Sequence, residues 1–380
     1  MRKPDFNNLL KVLRREVPDR PTLFEFFLNN RLYTRLAGGA VGRDGKPLEG
    51  QLLMMKAFEV AGYDYVTTLG SEMWFLTKEA PKLASRSMEA HAVIFDRKTF
   101  EAHPWPDPDR CDYSRLSALG AELAPGMKLI VHGPNGVLEN VMGLCGYQGL
   151  CYMLADDPKL AQDVFDAVGS RLLRYYEICA SHKDVGACIS NDDWGFTTQT
   201  MLSPADMRRY VFPWHRRIVE AIHRAGKPAI LHACGQLEAV MEDIIEDMRY
   251  DAKHSFEDKI LPVEEAYERW GRRIAILGGI DVGFLCRATP QQVKERSRAM
   301  LKRAEKRRVY EVVGAVARKS GRGDRGSMLA VAAPETAVVE LVSVSGAELV
   351  IANRNSPGQF VVAGPRAQIE QAASEAEKRS

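Results

Sequence analysis

The chain has 380 residues, 46% of them hydrophobic and 27% charged, with a formal net charge of +2. That length supports one large or two ordinary domains. The near-neutral balance supplies no global field for nucleic acid or an anionic membrane surface, so neither is an expected partner.

Residues 5 to 16 predict a helix, because Phe6, Leu9, Leu10 and Leu13 share one face, Asp5 can cap the start and Pro18 ends it. The N-terminus thus leads into an amphipathic pattern and not a secretory core. Thr22 to Phe27 predicts a first strand carrying one acid, Glu25. A polar, glycine-rich connection follows, then a helix near 48 to 61 that stops at Gly62. Tyr63 to Leu69 is the second expected strand. Residues 84 to 110, with Val93-Ile94-Phe95-Asp96 and His103-Pro104-Trp105-Pro106, suggest an antiparallel ribbon or long loop.

Helix resumes near 113 to 123, and Lys128 to His132 is the third expected strand. A mainly helical stretch runs on to about 182. Val185 to Ser190 is the fourth strand, closing on Asn191-Asp192-Asp193-Trp194-Gly195. Ser203-Pro204-Ala205-Asp206 has the serine, proline and acid of a helix start, and that helix reaches Gly226. The fifth strand, Pro228-Ala229-Ile230-Leu231-His232-Ala233-Cys234-Gly235, is a short apolar run bounded by turn residues. A helix at 236 to 247, a sixth strand around Tyr250 to Ser255, a helix after Pro262 and a seventh strand at Arg273 to Leu277 follow. The seventh strand closes on Gly278-Gly279-Ile280-Asp281, and Thr289-Pro290 opens the next helix.

Seven strand–helix units in a row predict a parallel α/β fold. Glu25, His132, Asn191, Asp192, Asp193, His232, Cys234, His254, Glu257 and Asp281 all fall at or just past the C-terminal ends of different strands. In a closed barrel those ends converge on one mouth, where the chemistry is done. The expected fold is therefore a TIM-like (β/α)8 barrel. His232 and Cys234 stand two apart on one strand, so their side chains point the same way and offer two zinc ligands. A buried histidine beside a buried cysteine is also ordinary core, and Asp192-Asp193 at a strand-to-helix turn is also an ordinary capping pair. His132 fits a hydrogen-bonded core residue equally well.

Leu231-His232-Ala233-Cys234-Gly235, Tyr250-Asp251, Ile276-Leu277-Gly278-Gly279-Ile280-Asp281, Asn8-Leu9-Leu10 and Pro18-Asp19-Arg20-Pro21 together resemble the uroporphyrinogen decarboxylase superfamily, over roughly residues 5 to 305. The resemblance implies one of two activities. One is cofactor-free tetrapyrrole decarboxylation. The other is zinc-dependent methyl transfer involving a thiol and a corrinoid protein. The decarboxylase branch carries an Arg-Gln-Ala-Gly-Arg-Tyr stretch after its first strand; here that stretch is Phe27-Leu28-Asn29-Asn30-Arg31-Leu32-Tyr33. Arginine forks suited to substrate carboxylates are therefore missing. The methyltransferase branch uses a histidine and a cysteine two residues apart plus a further cysteine from the last strand. His232 and Cys234 match the first two as metal ligands. Glu25, an acid of the 191 to 193 turn, and Cys286 are the candidates for a third.

On that reading the catalytic set is Glu25, Asp192, Asp193, Glu257 and Asp281, with His132, Asn191 and Gly279 lining the cofactor side. The expected partners are a small-molecule methyl donor or acceptor and a corrinoid protein. A homodimer is compatible with the sequence, which does not decide the oligomeric state. Seven cysteines without paired spacing, and the absence of any apolar run long enough to span a bilayer, give a cytoplasmic expectation.

The texture changes near residue 320. Ser320-Gly321-Arg322-Gly323-Asp324-Arg325-Gly326 reads as a linker. Residues 327 to 380 then read strand, short helix, strand, turn, strand, helix. With the turn Ala352-Asn353-Arg354-Asn355-Ser356-Pro357-Gly358-Gln359, this stretch resembles the small ferredoxin-like subdomain of malonyl-CoA acyltransferases. It has neither that enzyme's Gly-x-Ser-x-Gly elbow nor a histidine, and it ends before the fold's last strand. The expected organisation is a barrel over 1–312, a linker over 313–326 and an incomplete subdomain over 327–380, as in a fusion. The eighth barrel strand is missing or replaced, with Arg308 to Val316 β-rich enough to attempt the position. An inactive or scaffold barrel is the reading of another class.

Overall fold

The computed structural model describes residues 2–42, 45–75, 92–303, 327–331, 335–345, 350–356, 359–364 and 366–379. The chain divides into two compact units, Met1–Met300 and Leu301–Ser380.

The first unit is built on six parallel strands. They are β1 (Tyr65–Leu69), β2 (Lys128–His132), β3 (Val185–Asn191), β4 (Ala229–His232), β5 (Ala252–His254) and β6 (Ala275–Ile276). They pair in strict chain order, each with the next. Helices connect them, as parallel neighbours require. The central strands are buried on both faces, which is why β2 contributes Leu129, Ile130 and Val131 in succession to the core. This is the sheet of an α/β barrel of the TIM type, with its consecutive units side by side.

One expected strand is different. Residues 22 to 27 are extended but pair with no neighbour by a ladder. Side chains hold this segment instead. The Tyr65 hydroxyl donates to Glu25 O at 2.7 Å and accepts from Glu25 N at 2.6 Å, and Thr67 Oγ1 donates to Phe26 O at 2.6 Å. The segment's aromatic side chains lie among the strand ends. The Phe24 ring is 5.5 Å from Tyr65 and 5.2 Å from His254, and the Phe26 ring is 5.0 Å from His132 and 4.9 Å from His232. The connection expected after it contains a helix, Asn30–Ala37, whose Asn29 cap accepts from Leu32 N at 3.0 Å. The expected ribbon before residue 110 is, over the described residues, helix Arg97–Ala102 and a single turn at Pro108–Arg110. Residues 76–91 lie outside the described residues. The expected helix at 236 to 247 is a continuous helical run from Glu238 to Asp247, tightened at Glu238–Val240 and widened at Asp243–Asp247.

Helix Pro158–Ser181 shows how the strand ends are tied. Leu160, Val164, Val168, Leu172, Tyr175 and Cys179 recur at helical spacing on its buried face. From that face the Tyr175 hydroxyl donates to His132 O at 2.7 Å and accepts from Gly70 N at 2.6 Å, while Tyr176 donates to Ile189 O at 2.7 Å. One helix thereby fixes the C-terminal ends of β1, β2 and β3.

Asp192 is the second tie, and it is fully buried. Its carboxylate accepts from Leu138 N and Glu139 N, both at 2.9 Å, at the start of helix Val137–Cys145, and from His215 Nε2 at 2.9 Å. His215 in turn meets Tyr250 Oη at 2.7 Å and Ser190 Oγ at 3.2 Å through Nδ1. Gly136 permits the approach, since a Cβ there would stand 2.1 Å from the Asp192 side chain. The Asp192 carboxylate is thus a helix cap and a buried hydrogen-bond partner of His215.

The second unit has three antiparallel strands, β7 (Ser327–Val331), β8 (Val350–Ser356) and β9 (Gln359–Gly364), in the order β7-β9-β8. Helices Glu335–Ser345 and Arg366–Arg379 complete it, with Val338, Leu341, Val362, Ile369 and Ala372 as core. The order matches the first five elements of a ferredoxin-like fold. Its final strand is absent among the described residues. The linker and the β-rich stretch Arg308 to Val316 lie outside them. No helix among the described residues is long and apolar enough to cross a membrane.

Asp192→Ala is expected to lower the unfolding free energy by about 3 to 5 kcal/mol, because it strips a buried histidine and a helix start of their shared partner. Urea denaturation checks this, and a change below about 1 kcal/mol would refute the role of the carboxylate.

Candidate metal centre

Strand register creates the site. Across β3, β4 and β5 the paired residues are Asn191, His232 and His254, one row at the C-terminal ends of three strands. The ladder continues one residue further, with Asp192 N donating to His232 O and Ala233 N to His254 O, both at 2.8 Å. The chain beyond each strand is therefore held as firmly as the strand.

Asp193, His232 and Cys234 form a donor cluster, with one ligand atom from each lying within 4.8 Å of the others. His232 Nε2 is 3.9 Å from Cys234 Sγ and 4.0 Å from Asp193 Oδ1. Asp193 Oδ1 accepts from Cys234 N at 2.9 Å, which locks the carboxylate beside the thiol. Two loops are pressed together to achieve this. Gly235 has φ +87°, and a Cβ on it would stand 2.1 Å from Gly195 O, so glycine is required on both counts. Gln236 N then donates to Phe196 O at 2.8 Å across the same contact. His232 and Cys234 are half-buried, neither sealed in the core nor free in solvent.

The charges around the cluster favour a cation. Burial lowers the pKa of His232, and it pushes His132 down to about 4 and His254 down to about 3, so all three imidazoles are neutral at pH 7. Burial, with Asp193 adding to it, raises the Cys234 thiol to about 11. Burial also lifts the Glu139 carboxyl to about 8, reinforced by Asp192 and Asp193. Glu139 Oε2 accepts from Gly136 N at 3.1 Å, on the helix that Asp192 caps. Among the described residues, Lys253 is an amine close by, buried and brought down to about 8 by burial. Its ammonium hydrogen-bonds Ser255 O and lies 4.1 Å from the centre of the Phe256 ring.

The donor set has its own chemistry. A thiolate, an imidazole and a carboxylate are zinc ligands, whereas magnesium and calcium take oxygen alone. Zinc–ligand bonds near 2.0 to 2.3 Å place tetrahedral donors about 3.3 to 3.5 Å apart. The two donor pairs that involve His232 therefore need to close by about half an ångström, within reach of side-chain rotation. Three protein ligands leave a fourth position open, as at catalytic zinc sites.

The remaining expected site residues divide into two groups. Asn191 Oδ1 accepts from Gly133 N at 2.9 Å, holding the turn after β2, and the His132 ring lies against Phe26, which also touches His232. Glu25 is one residue from that ring, half-buried, with its carboxyl raised by burial. Asn191 and His132 thus adjoin the strand ends that carry the cluster, whereas the charge of Glu25 bears on Tyr33 and Tyr63. Asp281 instead caps helix Val282–Arg287 through Phe284 N at 2.8 Å and accepts from Asp258 N at 3.2 Å. Glu257 is exposed, beside a narrow pocket lined by Gly235, Leu237, Met241, Lys253, Ser255 and Trp270. Gly279 has open space where a Cβ would sit, and Cys286 is exposed on the Asp281-capped helix. Of the three candidates for a third ligand, the acid of the 191 to 193 turn is the one that joins the cluster.

Two residues near the cluster escape the sequence reading. Lys253 lies in a strand with other polar residues and Glu139 on an ordinary helix start, so neither stands out in the sequence. His254, expected only as a strand-end residue, meets His232 directly, Nδ1 to Nδ1, at 2.8 Å.

A family profile described as uroporphyrinogen decarboxylase (URO-D) matches residues 66–312. Among solved structures, a methyltransferase from Methanosarcina mazei superposes with a TM-score of 0.52 at 15% sequence identity, covering 71% of this chain and 80% of that one. At that identity the likeness is one of fold. No curated protein matches the chain.

Lys253 yields a pH-dependent expectation. Its folded pKa is near 8, against an ordinary amine value of 10.5. Between those values the unfolded chain holds a proton that the folded chain does not, so this residue's destabilising effect is full below pH 8 and fades toward pH 10.5. Lys253→Met should stabilise the protein at pH 7 by on the order of 2 kcal/mol, and that gain should shrink as pH rises from 8 to 10.5. Urea melts of both proteins across pH 6 to 10.5 check it. A gain that does not change with pH would contradict the assignment.

Proposed function

The chain belongs to the uroporphyrinogen decarboxylase family, and within it we propose a zinc-dependent methyltransferase that moves a methyl group between a small molecule, a thiol among the candidates, and a corrinoid protein. The observation that carries this reading is the Asp193, His232 and Cys234 cluster at the converging strand ends. Zinc bound there would acidify a coordinated thiol and present it as thiolate at neutral pH. In the step itself the thiol gives up its proton, its sulfur forms a bond to the methyl carbon, and the electron pair of the broken bond remains on the donor.

The chain's own residues supply the rest. Cys234 loses a proton on binding the ion, while His232 is already neutral. Asp193 brings the charge that offsets a divalent cation, and its bond to Cys234 N keeps it facing the site. Phe26 covers one side of His232 and limits water. His132, beside these strand ends, and Glu25 are the groups proposed to orient a methylated substrate.

Tetrapyrrole decarboxylation is the weaker reading. It calls for several cationic forks, and among the described residues the cations near the cluster are the buried Lys253 and Arg115, which is paired with Glu72. A scaffold without activity would need no ordered donor cluster. Seven free thiols suit a reducing cytoplasm. The tail, with its own small core, fits a fusion of a barrel over 1–312 to a fragment over 327–380 through a linker.

Metal analysis of the purified chain tests the proposal. The native protein should carry about one zinc, and His232→Ala, Cys234→Ser and Asp193→Ala should each lose most of it. Zinc below about a tenth per chain after reconstitution, or zinc retained in all three variants, would overturn the reading.

A further inference from the structure

We propose that His254 is a positioning residue that holds His232 in the tautomer whose Nε2 lone pair faces the donor cluster. The purpose of this arrangement rests on the zinc reading; its geometry does not. His232 and His254 are direct partners in the β4–β5 register, and their Nδ1 atoms are 2.8 Å apart. At that distance one ring donates and the other accepts.

The surroundings of His232 suit one direction. Its Nε2 has a carboxylate oxygen at 4.0 Å and a sulfur at 3.9 Å, both too distant for a strong hydrogen bond from Nε2–H. A hydrogen on Nδ1 has an acceptor at 2.8 Å. In the proposed arrangement the hydrogen sits on His232 Nδ1 and points at His254, His232 Nε2 is left bare, and His254 carries its own hydrogen on Nε2. A ligating histidine whose other nitrogen donates to a fixed acceptor is the usual outer-shell arrangement, although the acceptor is more often a carboxylate or carbonyl.

His254 is itself held on two sides. Its carbonyl accepts from Ala233 N at 2.8 Å, and Phe24 packs edge-on against its ring at 5.2 Å. Phe24 belongs to the extended segment that joins no ladder, so that segment acts on the centre through His254 as well as by covering His232 with Phe26. A neutral imidazole in this place does what a carboxylate would do for the tautomer, without adding a second negative charge beside Asp193.

The test uses the full chain, metal-free, and two variants. His254→Asn places an acceptor oxygen close to where Nδ1 stood; His254→Phe keeps bulk and removes the acceptor. Ring nitrogen shifts from long-range proton–nitrogen NMR should report His232 as the Nδ1–H tautomer in the native chain and in His254→Asn, and as a mixture in His254→Phe. Cobalt(II) titration followed in the visible should show affinity about 10- to 100-fold weaker in His254→Phe and within about threefold of native in His254→Asn. His232 found as the Nε2–H tautomer in the native chain would overturn the proposal, as would His254→Phe with unchanged tautomer and affinity. If His254→Phe does not fold, the native and His254→Asn tautomers decide. A native chain that shows the Nδ1–H tautomer but binds no cobalt would support the positioning and sink the zinc reading.

Discussion

The contact on which the rest depends is the one between the Asp192 carboxylate and His215, shared with the first turn of helix Val137–Cys145. A buried carboxylate is tolerable only when hydrogen bonds replace its lost hydration, and here three donors engage it. The end of β3 is thereby anchored to helix Val137–Cys145 on one side and helix Phe212–Arg224, which carries His215, on the other. Asp193 comes next in the chain. With its neighbour pinned inside the packing, Asp193 is directed to the backbone of Cys234 and the imidazole of His232. Two adjacent acids of the same type thus do different work. One closes the fold and the other faces the opening.

The same economy of position runs through the site. The row Asn191, His232 and His254 exists because three parallel strands end in register. Gly235 and Gly195 let the loops after β4 and β3 touch, and that contact brings the thiol within reach of the carboxylate. Burial then sets the protonation states. It keeps the imidazoles neutral and the thiol protonated in the absence of a cation. A divalent ion would reverse the balance for the Cys234 thiol alone, since the thiolate is the form that ligates a metal.

The extended segment 22 to 28 shows what replaces a strand. It is tied by Tyr65 and Thr67 side chains in place of ladder bonds, and its two inward phenylalanines touch histidines from β2, β4 and β5. A paired strand would have fixed the segment's backbone more rigidly and would have placed its side chains by pleat alone. Here aromatic packing against the site does the placing, so the cover of the centre and the order of the segment are one property.

Much of this was legible in the linear chain. Short β-rich runs broken by glycine and proline, each followed by helical periodicity, identified β1 to β6 and the parallel α/β fold. The spacing of His232 and Cys234 marked both as donors, but β4 ends at His232 and the turn beyond it places the thiol. The strand–helix–strand–strand–helix order of the tail was equally local. Thr22 to Phe27 was misread because apolar alternation reports burial, not the partner that buries it. The roles of Asp192 and Asp193 could not be separated, since neighbours of one type differ only through His215, a residue 23 positions along the chain, and through a helix start 54 positions back. Asp193 as the third donor, His254 as the imidazole's partner and Glu139 beside them are products of strand register and loop contact. Those are distances between chain-remote residues, and only the folded structure sets them.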